Sequence, residues 1–378
     1  MKNILFIFGT RPEAIKLAPV INIFKKDSNN FKTTIAVTAQ HREMLDQVLS
    51  LFEIKPDYDL DLMSKNQTLE RLTSKILIGV SDLIKTIKPN ILFVQGDTTT
   101  AMVSSLAAFY QKIPVAHIEA GLRTNNKYSP FPEEINRKII SSIASYHFPP
   151  TINAEHNLLK EGIDKKNIKV TGNTVIDALL SVSSKIDSKI TDYEQYFINE
   201  YGIDLNEKKN ILVTGHRRES FGKGFENICN SIRLIAKNNN IQIIYPVHLN
   251  PNVQEPVKRI LGDLSNIYLI KPQDYVPFIF LMKKSHIILT DSGGVQEEAP
   301  SLGKPVLIMR ENTERPEGIE EGTAFLVGTD SNTIIENVEK LLKNKTEYEK
   351  IAKRVNPYGD GSASKYIYNA IEEYLIKK

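Results

Sequence analysis

Short apolar runs alternate with amphipathic stretches along the whole chain. In the first half the runs fall at 4–8, 34–37, 91–94, 115–118, 146–148 and 168–170. In the second half they fall at 211–213, 241–245, 267–270, 287–289, 306–309 and 325–327. Runs this short and this rich in Ile, Val, Leu and Phe predict strands buried on both faces. Stretches such as 12–26, 69–88 and 225–237 predict helices between them. Strand–helix alternation means parallel sheets with helices on both faces. Two sets of six strands predict an α/β protein of two doubly wound domains rather than one wide sheet. The polar stretch between Gly172 and Lys209 holds no convincing strand and reads as the connection, giving expected domains 1–172 and 173–361. The last helix, 362–378, carries Tyr366, Ala370, Ile371, Tyr374 and Leu375 at helical spacing and is expected to pack back on the first domain.

Composition narrows the class of protein. With 378 residues, 41% hydrophobic and 25% charged, the chain is long enough for two real cores. A net charge of +3 with no Lys/Arg block argues against nucleic acid. The single Cys229 excludes internal disulfides and thiolate metal clusters and fits a reducing compartment. Met1-Lys2-Asn3 runs straight into a strand, and no apolar stretch reaches the roughly 18 residues of a membrane span. The expectation is a cytoplasmic protein with no membrane partner.

The polar motifs share one address, the carboxyl ends of the predicted strands, where open α/β sheets bind ligands. Gly9 to Glu13, Gln40-His41-Arg42, Gly96-Asp97-Thr98 and Glu119 to Arg123 follow strands of the first half. His216-Arg217-Arg218-Glu219, His248 to Pro251, Asp291 to Gly294 and Arg310 to Glu317 follow strands of the second. Ser292, Gly293 and Gly294 read as a helix N-terminus open to an anion, or as an ordinary turn capped by Ser292. Arg11 and Lys16 flank a Pro-initiated helix and are either a phosphate grip or solvated charges. Asp97, Glu119 and Glu133 offer three carboxylates from three loops for acid and base work. Asp97 could equally cap the helix after it, and Glu133 could simply pair with Arg137 one turn on. His216 could donate to phosphate or shuttle a proton, and Arg315 is a further anion grip. His41, His117 and His248 lie at predicted strand ends; His147, His156 and His286 read as structural or surface. No metal-ligand spacing, dinucleotide fingerprint, P-loop or nucleophile elbow is present, so no metal and no cofactor are expected.

Together these stretches resemble the non-hydrolysing UDP-N-acetylglucosamine 2-epimerases of bacteria and archaea. The resemblance runs in order over nearly the whole chain. It includes Gly9-Thr10-Arg11-Pro12-Glu13-Ala14-Ile15-Lys16, His117-Ile118-Glu119-Ala120-Gly121-Leu122-Arg123 and Ser129-Pro130-Phe131-Pro132-Glu133-Glu134. It continues with Tyr245 to Pro251, Thr290 to Pro300, Thr313 to Glu317 and Asn356 to Gly361. Hydrolysing relatives carry a different run after Gly-Thr-Arg, so Pro12-Glu13-Ala14-Ile15 favours the non-hydrolysing branch.

The resemblance implies a GT-B fold, two Rossmann-like domains with the active site in the cleft between them, and a homodimer. It implies UDP-GlcNAc and UDP-ManNAc as substrates, with Arg11, Lys16, Asp97, Glu119, Glu133, Arg137 and His216 around the reacting sugar and diphosphate. It places Phe278 against the uracil and Ser292, Gly293, Glu298 and Arg315 on UDP. It also implies a second UDP-GlcNAc as an allosteric activator at Gln40, Glu43, Asn66, Glu134, Arg217 and His248. Asn66 and Glu43 depart from the family's usual Arg and Gln. The alternatives are a GT-B glycosyltransferase, a hydrolysing epimerase and, from outside enzymology, a sugar-nucleotide sensor that keeps the phosphate grip without the carboxylates.

Overall fold

The computed structural model describes residues 1–38, 42–62, 67–238 and 240–376, with the side chains of 42–44 left aside. Gln40, His41 and Asn66, and the side chains of Arg42 and Glu43, therefore lie outside the described residues. The chain forms two compact units, Met1–Ala178 with Tyr358–Lys378, and Leu179–Pro357. The division falls inside the helix Thr174–Asp187 rather than at Gly172, because the expected connection is helical and continuous there.

In the first unit the strands are β1 Lys2–Phe8, β2 Phe31–Val37, β3 Tyr58–Asp59, β4 Ile91–Gln95, β5 Val115–Ile118 and β6 Tyr146–Phe148. They form one parallel sheet in the order β3-β2-β1-β4-β5-β6. Ile4 to Phe8 are each 0% exposed, which is why β1 reads as an unbroken apolar run. The run at 168–170 is not a strand: Ile168 makes only an isolated bridge to His147. The sixth strand is instead Tyr58–Asp59, two exposed residues at the sheet edge with no apolar signature.

In the second unit the strands are β7 Lys209–Thr214, β8 Ile241–Pro246, β9 Ile267–Ile270, β10 Ser285–Thr290, β11 Val306–Ile308 and β12 Ala324–Leu326. Their order, β12-β11-β10-β7-β8-β9, is the same winding as in the first unit. In each sheet the winding reverses once, between β1 and β4 and between β7 and β10. A crevice opens at such a switch point because the loops leave the sheet toward opposite faces.

The C-terminal helix Ala363–Leu375 belongs to the first unit. Asp177 accepts from Ala363 N (3.2 Å), Ser364 N (2.8 Å) and Ser364 Oγ (2.6 Å) and so occupies donors at its start. Tyr368 from this helix donates to Asp27 Oδ2 at 2.6 Å and packs on Phe24, centroids 5.1 Å apart. Phe24 also contacts Phe31 (5.1 Å), Phe93 (5.6 Å) and Phe6 (6.1 Å), joining β1, β2, β4 and the C-terminal helix through one ring. Phe24→Ala should therefore cost the first unit about 3–5 kcal/mol. The expected outcome is an early transition in urea that carries the first unit's signals, while the second unit's midpoint stays put.

Candidate active site

In the first unit the site starts at the switch point. Thr10 ends β1's loop and caps the helix Arg11–Lys26 with Glu13 in a capping box. Glu13 is 1% exposed. Its Oε2 accepts from Gly9 N (3.1 Å), Thr10 N (2.8 Å) and Thr10 Oγ1 (2.7 Å), and its Oε1 from Thr98 Oγ1 (2.7 Å) across the crevice floor. Burial pushes the Glu13 carboxyl up, and these donors oppose the rise. Gly9 is required by close approach: a Cβ there would lie 2.3 Å from Thr38 Oγ1. The result is a rigid turn that fixes Arg11 as the first helical residue, and Arg11 has no ion pair among the described residues.

Lys16, one turn on, is paired with Glu119, and Gln95 Nε2 donates to the same Glu119 Oε2 at 2.6 Å. Glu119 adopts φ +63°, a left-handed conformation that costs a non-glycine residue about 1 kcal/mol or more. The turn aims a largely buried carboxylate off the end of β5 rather than along it. His117 before it is buried, and burial pushes its imidazole down to about 3. It is therefore neutral, and its Nε2–H donates to Gly96 O at 2.7 Å, holding the loop that carries Asp97.

Asp97 is gripped by Arg137, Nε at 2.8 Å and Nη2 at 2.7 Å, both to Oδ2. Asn136 Nδ2 donates to Asp97 O at 2.8 Å, which ties the start of the helix Glu133–Ile143 to the loop after β4. The helix after Asp97 is capped by Thr98, not by Asp97. The alternative Glu133–Arg137 pair does not form among the described residues. Arg137 turns to Asp97 and, at 3.2 Å, to Glu134, while Glu133 Oε2 is buried without a hydrogen-bond partner. Glu134 is 0% exposed, and its oxygens accept from Thr124 N and Asn125 N, each at 3.0 Å. Its carboxylate is engaged by protein donors that hold the loop before the helix.

In the second unit the loop after β7 carries His216 and the loop after β10 carries Ser292. Ser292 is the residue before the short helix Gly293–Glu298, and its side chain makes no capping hydrogen bond, so the serine-capped turn is not what forms. Gly293 lets the Arg315 guanidinium come close: a Cβ there would lie 2.5 Å from Arg315 Cζ and Nη1, and the side chain would have to shift. The guanidinium thus lies against the N-terminus of that helix. Its Nε donates to Glu297 Oε1 at 2.7 Å and its Nη1 to Glu314 Oε1 at 2.6 Å. Thr313 Oγ1 adds a bond to Gln296 Oε1 at 2.7 Å. Glu298 accepts from Tyr275 Oη at 2.9 Å, at the start of the helix Tyr275–Lys284 that also carries the partly buried Phe278. Gly294 has open space where a Cβ would be, so it is not required sterically by the protein itself.

Asp291, 2% exposed, accepts from His216 N (2.6 Å) and Arg217 N (2.8 Å). His216 stacks on His248 with centroids 5.2 Å apart and 15° between planes. Burial depresses the His216 imidazole; Asp291 raises it, and His248 and Arg217 lower it further. Arg217 Nη2 stands 3.7 Å from Glu314 Oε1. Sequence reasoning missed Glu13, Gln95, Asp291 and Gln296 as site residues. Asp291 stands inside a quoted motif, and a carboxylate ending a buried strand already calls for a partner.

Two doubly wound parallel sheets, each gathering its charged loops at the switch point, define a GT-B-like protein of two Rossmann-like domains. The UDP-N-acetylglucosamine 2-epimerase family model matches residues 24–372, and the chain belongs to that family. It is 56% identical over 375 residues to the UDP-N-acetylglucosamine 2-epimerase of Campylobacter jejuni, covering 98% of this chain and 97% of that one. The corresponding Salmonella typhimurium enzyme is 54% identical, with 99% of each covered. A crystal structure of UDP-GlcNAc 2-epimerase from Neisseria meningitidis bound to UDP-GlcNAc is similar at TM-score 0.89, with 51% identity, covering 98% of this chain and 100% of that one. The Methanocaldococcus jannaschii enzyme in complex with UDP-GlcNAc and UDP is similar at TM-score 0.78, with 36% identity, covering 98% and 99%.

The charge cluster around Arg315 makes a pH prediction. Burial raises the Glu314 carboxyl, but Arg315, a backbone hydrogen bond and Arg310 outweigh it and hold the group at about 2, below its ordinary 4.5. A carboxyl depressed in the folded state stabilises above its unfolded pKa and loses that contribution as pH falls through the folded one. The second unit should therefore lose stability between about pH 4.5 and about pH 2. Glu314→Gln should flatten that part of the acid-unfolding profile followed by circular dichroism; an unchanged slope would contradict the assignment.

Proposed function

We propose that this protein interconverts UDP-GlcNAc and UDP-ManNAc by the non-hydrolysing route. It would work as a cytoplasmic homodimer without metal or cofactor and supply ManNAc units for cell-surface polysaccharide. Family membership supports the reaction class. The observation that carries the chemistry is the unequal state of three carboxylates on one sheet edge. Asp97 is held by Arg137 and Glu119 by Lys16, while Glu133 has a buried oxygen with no donor among the described residues. A buried acceptor left without a donor is costly, so Glu133 is poised to take a proton or a substrate donor.

The C2 hydrogen of the sugar is only weakly acidic, because the acetamido group gives a carbanion little support. Loss of UDP with the C2 proton avoids that difficulty. The C1–O electron pair leaves with UDP, a carboxylate takes the C2 proton, and 2-acetamidoglucal remains. UDP then re-adds at C1 while a proton reaches the opposite face of C2. Arg11, His216, Arg315 and the helix N-terminus at Ser292-Gly293 are assigned to the leaving diphosphate. Asp97, Glu119 and Glu133 handle the proton and the developing positive charge. Phe278 and Glu298 are assigned to the uridine, beside Gly294.

Incubation with UDP-GlcNAc alone in D2O, followed by NMR, tests this reading. The expected result is UDP-ManNAc with deuterium at C2 and no accumulation of free ManNAc. Free ManNAc with UDP would identify the hydrolysing route, and full protium at C2 after one turnover would sink the proton-exchange scheme. Asp97→Asn and Glu119→Gln should keep UDP binding within a few-fold while turnover falls roughly 10²–10⁴-fold. Near-normal turnover in both would make these acids structural.

The reading extends to a second UDP-GlcNAc acting as activator, with Gln40, Glu43, Asn66, Glu134, Arg217 and His248 as its contacts. A ligand that favours one state must bind that state more tightly. The reverse reaction started from UDP-ManNAc alone should then lag until UDP-GlcNAc is added. Hyperbolic kinetics in both directions without stimulation would show that the activator site is lost.

A further inference from the structure

The buried acid at the end of β10 has work left over after its structural bonds are counted. Asp291 Oδ2 accepts from His216 N and Arg217 N, which fixes the carboxylate in place. Its other oxygen, Oδ1, is buried and makes no hydrogen bond. That oxygen faces His216 Nδ1 at 3.4 Å, just beyond good hydrogen-bond length. The imidazole is only partly buried, and Asp291 is almost wholly so. A buried carboxylate oxygen left unsatisfied is costly, and an Nδ1–H on His216 is positioned to relieve it.

We propose that Asp291 is a positioning residue that makes His216 the proton donor to the leaving diphosphate. It does so by holding the imidazole in the Nδ1–H form and by stabilising its cation. The inference rests on the elimination chemistry proposed above. With Nδ1 turned to Asp291, Nε2 is the nitrogen on the far side of the ring. Burial lowers the pKa of the ring, Asp291 raises it, and the stacked His248 and the neighbouring Arg217 lower it further. Glu314, 3.7 Å from Arg217, tempers that neighbour from a third loop. A bound diphosphate adds negative charge on the Nε2 side, and the ring can then take a second proton with Asp291 accepting at Nδ1.

The step balances. As C1–O breaks, the bonding pair passes to the diphosphate oxygen, and the Nε2 proton is transferred to or shared with that oxygen. The C2 proton goes to one of the carboxylates assigned to it above. On re-addition the neutral Nε2 takes its proton back as the oxygen attacks C1. No oxidant or co-reactant is needed. The acid–histidine relation is the one that serine-protease triads use to fix tautomer and support an imidazolium.

Asp291→Asn is the test. The amide oxygen can still accept from His216 N and Arg217 N, so the loop is kept, but the amide NH₂ then faces Nδ1 and favours the Nε2–H form. Nitrogen-15 NMR of histidine-labelled, substrate-free protein should show His216 as Nδ1–H in the wild type and as Nε2–H in the variant. His216→Gln assigns the signal. Turnover of UDP-GlcNAc should fall about 10²-fold or more in Asp291→Asn, with the Kd for UDP within a few-fold and the alkaline limb of the pH–rate profile moved to lower pH. A wild-type His216 in the Nε2–H form, or a tautomer unchanged in the variant, overturns the proposal. Because the tautomer is read without substrate, that failure is distinct from a failure of the epimerase reading, which would show as wild-type protein that leaves UDP-GlcNAc unchanged. Weakened UDP binding in step with turnover would instead mark Asp291 as a scaffold residue only and likewise overturn the proposal.

Discussion

A carboxylate buried where a parallel strand ends must find donors in a neighbouring loop. Glu13 and Asp291 meet that demand in the two halves of the chain in the same manner. Each takes two backbone N–H groups of the loop after the first strand of its sheet. Glu13 adds Thr98 from the loop after β4, and Asp291 itself ends β10. In both sheets the two loops flanking the switch point are therefore stitched together by one buried acid. If either acid were lost, backbone donors would be left unpaired in the interior and the turn that presents Arg11 or His216 would loosen.

That stitching sets the charge pattern around it. Lys16 and Arg137 reach back to Glu119 and Asp97, so two of the three carboxylates on the first sheet's edge carry their own counter-ion. The compensation comes from different elements each time, which keeps the acids electrostatically distinct. In the second unit the same principle gathers Arg217, Arg310 and Arg315 around Glu314 and Glu297. A cluster of guanidinium groups would repel itself in the absence of an anion; here the buried Glu297 and the more exposed Glu314 hold it in place.

Backbone strain falls on one of the residues to which chemistry is assigned. Glu119 accepts a left-handed backbone, and its amide still pairs with Phe148 O at 3.0 Å. With that backbone its carboxylate meets Lys16. Such strain persists only where surrounding contacts over-determine the conformation, as Lys16, Gln95 and the β6 edge do here.

The amino-acid sequence determined the strand–helix order, because strands covered on both faces must be apolar throughout and so announce themselves. It also determined which residue types stand at strand ends, since loops there are short and polar. The edge strand Tyr58–Asp59 carries no such signal, being exposed and two residues long, and the apolar run at 168–170 has the pattern of a strand although Ile168 makes only a single bridge. Pairing was decided only by tertiary structure. Arg137 and Glu133 have ideal helical spacing, yet Arg137 binds Asp97, forty positions away in sequence, because the loop after β4 is packed against the start of that helix. Likewise nothing local tells that Asp291 meets His216. The first contact follows from β4 and β5 lying side by side, the second from β7 and β10 being neighbours, and strand adjacency is a property of the winding rather than of any window of residues.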